Sequence, residues 1–208
     1  MLHELGHAFA VKAVGREVHY IGVGWYWLMP IAFTDTSDMW LADRKQRMLV
    51  NLAGVYVDLF IAGLSACLMY VIPNLYIQSM LWLFTLYTYM GAFRMLSPLQ
   101  ELDGYYLLMD WVEKPRLRQA AVMWLVKKFP QSIRQPHLFR QNKPEVIYWV
   151  ACIVFLILIS VFTYVLQAFV LNVLEVETPR YVSFILPFLV VLFSCLSIVA
   201  DIRNQADD

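Results

Sequence analysis

The chain has 208 residues, 61% of them apolar, and its charges balance at 16 basic and 16 acidic. Soluble domains are about 45–50% apolar, so this composition, with a mean hydropathy of +0.59, describes an integral membrane protein in contact with a lipid bilayer. The balanced charge gives no basic footprint, so no nucleic-acid partner is expected.

Residues 1–14 read as a helix that carries His3-Glu4-Leu5-Gly6-His7. Side chains four apart share one helix face, so both imidazoles can reach a single metal ion, with Glu4 beside the open position as a base for an activated water. Fourteen residues rise about 21 Å, short of the about 20 residues that a span needs. The first half of this helix is therefore expected to lie upstream of Met1, or its end to be covered by a partner subunit or fused domain. After Gly15-Arg16, residues 18–33 mix Gly22, Gly24 and Pro30 with Tyr20, Trp25, Tyr26 and Trp27. Breakers among aromatics argue for an interfacial β-hairpin rather than a span, with the tryptophans as membrane anchors. Residues 34–46 read as a polar surface loop.

Residues 48–72 form an apolar run in which only Asp58 carries a charge, and residues 75–93 are uncharged. Both read as spans. Pro98 and Gly104 make the backbone leading to Asp103 irregular. Residues 105–111 resume an apolar segment, 115–129 read as an amphipathic surface helix and 130–144 as a basic loop. Residues 146–171 and 181–200 are uncharged runs of 26 and 20 residues, long enough to cross a bilayer. The fold class is thus an all-α membrane bundle of about five spans, the first incomplete, with a small hairpin after the first helix. Its parts are a core over 1–118, a basic cytoplasmic segment over 119–145 and a two-helix hairpin over 146–208. Lysines and arginines crowd 96–145 and 40–47, which places both segments on the cytoplasmic side. Cys67, Cys152 and Cys195 stand alone in apolar runs and read as packing residues.

A catalytic zinc takes three protein ligands and leaves one position open. His3 and His7 supply two. Carboxylates at membrane depth are costly and mark function, which singles out Asp58 and Asp103. His19 and His137 read as interfacial residues and Glu101 as an exposed one. Asp58 either orients a ligand imidazole through its other nitrogen or is a protonated carboxyl bonded between helices.

His3-Glu4-Leu5-Gly6-His7, then Leu52-Ala53-Gly54 with Asp58, then Pro98 with Leu102-Asp103-Gly104, in that order, resemble the site-2 protease family of intramembrane zinc metallopeptidases. Asp103-Gly104-Tyr105-Tyr106-Leu107-Leu108 and Glu113-Lys114-Pro115-Arg116-Leu117-Arg118 are similar to its peptide zinc metalloprotease branch. The resemblance covers residues 1–118. It implies Zn²⁺ held by His3, His7 and Asp103, Glu4 as general base, and Asp58, Ser97 and Gly104 as residues that support ligands or orient substrate. The family commonly has asparagine where this chain has Ser97 and Asp58. The activity implied is hydrolysis of membrane-embedded or hydrophobic peptides, on the cytoplasmic side of a bacterial inner membrane. Alternatives from other classes are a non-proteolytic accessory of a peptide-export or secretion complex, and a metal transporter.

Overall fold

A computed structural model describes residues 1–26, 29–129, 137–173, 175, 182 and 184–206. These are mostly helical, with one two-stranded antiparallel sheet. They fall into two compact units, Met1–Pro115 and Arg116–Asp208.

The first unit opens with α1 (Leu2–Ala13), which ends where Gly15 takes a φ of +77°. There Gly15 N–H donates to Lys12 O and Arg16 N–H to Val11 O, the paired closure that a left-handed residue allows. Strands β1 (Ile21–Tyr26) and β2 (Met29–Thr34) pair from Ile21↔Thr34 to Tyr26↔Met29. Trp25 is exposed, and Trp27 lies outside the described residues. The expected loop over 34–46 is partly helical. A 3₁₀ turn spans Ser37–Leu41 because Met39 is buried with Val11, Ala42 and Val50 in a small apolar core. Ahead of it, Asp35 accepts from the Ser37 hydroxyl and N–H, which hold its carboxyl below the ordinary value.

Helix α2 (Arg44–Val71) starts four residues before the apolar run does, because Asp43 and Gln46 form a capping box in which Asp43 N–H donates to Gln46 Oε1 at 3.2 Å. Helix α3 (Leu75–Met95) is capped by Asn74, whose side chain accepts from the Tyr76 and Ile77 N–H groups. A run of turns leads to α4 (Asp103–Val112). Gly104 makes this return possible, since a Cβ there would run into the main chain of Leu96.

The second unit holds α5 (Leu117–Lys127), α6 (His137–Gln141), α7 (Lys143–Val173) and α8 (Ile185–Ala206). Helix α5 buries Leu117, Ala121, Val122 and Trp124, and Trp149 Nε1–H of α7 donates to Ala121 O at 3.1 Å. That packing joins α5 to the C-terminal helices within the second unit. The basic loop expected over 130–144 is helical over His137–Gln141 and again from Lys143, and residues 130–136 lie outside the described set. Of the cysteines read as packing residues, Cys152 is buried but Cys67 and Cys195 are exposed.

Among the described residues two helices, α2 and α7, are long and apolar enough to cross a membrane. Only 22% and 17% of their apolar windows are buried, so their side chains face outward instead of filling a core. A five-span bundle goes beyond this. Helix α3 dilutes its apolar character with Tyr76, Gln78, Ser79, Tyr87 and Tyr89, and the apolar part of α8 ends at Ala200.

Candidate metal centre

Helix α1 presents both histidines to α2 because the two helices pack closely through Gly6. A Cβ there would lie 2.8 Å from Ala53 O and 2.8 Å from Val57 Cγ2. His7 is buried and its Nδ1–H donates to the main-chain carbonyl of Val50 at 2.7 Å. A carbonyl only accepts, so this bond fixes the tautomer and turns Nε2, with its lone pair, towards the centre. His3 Nδ1 lies 2.8 Å from Asp58 Oδ2, so a carboxylate orients the second ring in the same sense.

The inward atoms then meet. His3 Nε2 is 3.1 Å from His7 Nε2, and Asp103 Oδ2 from α4 stands 3.1 Å from the first and 3.5 Å from the second. Asp103 Oδ2 is buried and faces both ring nitrogens. Three electron-pair donors thus converge, an arrangement that requires a cation between them, either a proton shared by ring nitrogen and carboxylate or a metal ion. Their spacing also suits zinc, whose tetrahedral bonds of about 2.0–2.1 Å set ligand atoms about 3.3 Å apart. Among the described residues, His3, His7 and Asp103 form the group able to hold a metal ion.

Space for both rings comes from Gly54 on α2. A Cβ there would collide with His7 Nε2 and lie 2.6 Å from His3 Cε1 and Nε2. Glu4 lines a cavity of about 350 Å³ with His7, Asp103, Thr34, Arg47 and Tyr106. Thr34, at the end of β2, donates through its hydroxyl to Glu4 O at 2.9 Å and fixes the hairpin beside α1.

The structure therefore brings His3, His7, Asp103 and Asp58 together, with Glu4 on the adjoining cavity wall. Ser97 is buried in the turns before α4, where its Oγ accepts from Leu99 N–H at 3.2 Å. Gly104 acts by omission of a side chain against Leu96. His19, Glu101 and His137 are exposed. Sequence reasoning missed the Val50 carbonyl, Thr34, and the Arg47, Asn51 and Asp110 cluster. The residues at 47, 50, 51, 54 and 58 recur at three, four and seven, a helical stripe that would have exposed most of them. Comparisons with protein-family models, curated proteins and solved structures find no match to this chain.

Proposed function

We propose that this chain is an intramembrane zinc metalloendopeptidase of the site-2 protease type, acting on transmembrane segments or short hydrophobic peptides. The observation that carries the reading is the convergence of His3 Nε2, His7 Nε2 and Asp103 Oδ2 within 3.1–3.5 Å, with the other nitrogen of each ring already bonded. Zinc held there supplies Lewis acidity, which polarises a peptide carbonyl and activates water near neutral pH. The chain's own residues do the rest. Val50 O and Asp58 keep the rings aimed inward, and Glu4 takes the proton of the attacking water. As the C–O bond forms and the C–N bond breaks, Glu4 returns that proton to the leaving nitrogen.

Two experiments test the frame. Purified protein is expected to hold about one zinc per chain, as a three-ligand site does, and His7→Ala or Asp103→Ala to lose most of it. Full zinc content in Asp103→Ala would remove that carboxylate from the ligand set. In the proposed multi-pass topology α3 and α8 join α2 and α7 as spans, α1 packs against α2, and the centre lies towards the cytoplasm. The excess of basic residues in 40–47 and 96–145 supports this orientation. A reporter fused after Lys128 is expected to read cytoplasmic and one after Glu177 extracytoplasmic. The reverse labelling would overturn the orientation.

A further inference from the structure

We infer that Arg47, Asn51 and Asp110 are a positioning set that fixes Asp103 by clamping α4 against α2. The inference rests on the metal-centre reading above. Helix α4 has ten residues and its N-cap, Leu102, makes no side-chain cap hydrogen bond. Isolated helices below about 12–15 residues are marginal, so α4 does not hold its first residue in place by itself. That residue is Asp103.

Asp110 stands two turns further on, seven residues along and hence on the same face of α4. It is buried, and both its oxygens are used. Arg47 Nε–H donates to Oδ1 at 2.7 Å and Asn51 Nδ2–H to Oδ2 at 2.9 Å. Arg47 is itself held by a second bond, from Nη1 to Ala42 O at 3.0 Å. A carboxylate this enclosed tolerates burial only while those donors remain. Arg47 and Asn51 flank Val50, whose carbonyl orients His7, and all three sit on the α2 stripe that continues through Gly54 to Asp58. One helix face therefore aims both imidazoles directly and the third ligand through α4. Arg47 and Asp110 also line the cavity that Glu4 and Asp103 share, so the clamp lies beside the centre and not at a remote surface. A further ion pair, from Arg44 at the start of α2 to Glu113 just past the end of α4 at 3.2 Å, is exposed and serves as a control.

The test measures zinc affinity of the full chain by chelator competition, alongside thermal unfolding of the metal-free protein. Supporting groups around metal ligands are worth about 10–100-fold in affinity. Asp110→Asn is expected to weaken zinc within that range, and Arg47→Lys, which keeps the charge but not the guanidinium geometry, to weaken it less. Arg44→Ala should change affinity by no more than about twofold, as exposed ion pairs contribute little. Placed on Asp103→Ala, Asp110→Asn should cause no further loss of zinc affinity, while lowering the metal-free unfolding temperature by as much as it does in the parent. Equal losses of affinity in both backgrounds would mean general destabilisation and overturn the inference, as would parent-like affinity in Asp110→Asn. If that variant does not fold, the same cycle with Arg47→Lys decides by the same outcomes. A parent chain that binds no zinc overturns the metal-centre reading, and the inference with it.

Discussion

Glu4→Gln is expected to keep the parent's zinc content while lowering hydrolysis of any accepted hydrophobic peptide by about 10²–10⁴-fold, the usual contribution of a general acid–base group. Glutamine matches the shape of glutamate and preserves the main-chain carbonyl that accepts from Thr34. It cannot take a proton from water at neutral pH. The proposed ligand atoms belong to His3, His7 and Asp103, so metal content is expected to separate cleanly from turnover. Equal cleavage by parent and Glu4→Gln would remove Glu4 as the base. A parent that cleaves no member of a broad peptide panel, yet is required for a partner complex to assemble, would favour the non-proteolytic accessory instead.

The centre was legible where function is written in side chains at helical spacing. His3 and His7 stand four apart, and Asp58 and Asp103 are carboxylates in apolar surroundings. What was hidden depends on main chain or on omission. A carbonyl carries no residue type, so nothing marks Val50 as the partner of His7. Asp110 was passed over as part of an apolar segment, although its seven-residue interval from Asp103 places the two on one face. The start of α2 was readable from the Asp43-to-Gln46 spacing, but hydropathy begins only at Met48 and masked it. Helix α3 is less plain than α2, because freedom from charge over residues 75–93 suggests a span while tyrosines and Gln78 lower its apolar character.

The effect of Gly54 offers the sharpest contrast within a single helix. Gly54→Ala and Gly63→Ala each replace glycine by alanine in α2, and each gains the same intrinsic helix preference, about 0.8–1.0 kcal/mol in water. Their surroundings differ. A Cβ at Gly63 meets nothing within 4 Å, whereas at Gly54 it would collide with His7 Nε2 and stand 2.6 Å from two atoms of the His3 ring. Neither ring can simply swing away, because Val50 O holds one at 2.7 Å and Asp58 the other at 2.8 Å. Backbone retreat is blocked as well, since Gly6 of α1 already packs against Ala53 and Val57. Gly63→Ala is therefore expected to keep parent zinc content and activity. Gly54→Ala should lose both while remaining helical by circular dichroism, because the clash falls on the ligands and not on the helix. Parent-like zinc binding in Gly54→Ala would show that the imidazoles do not converge over this position, and the metal centre would have to be built from other residues.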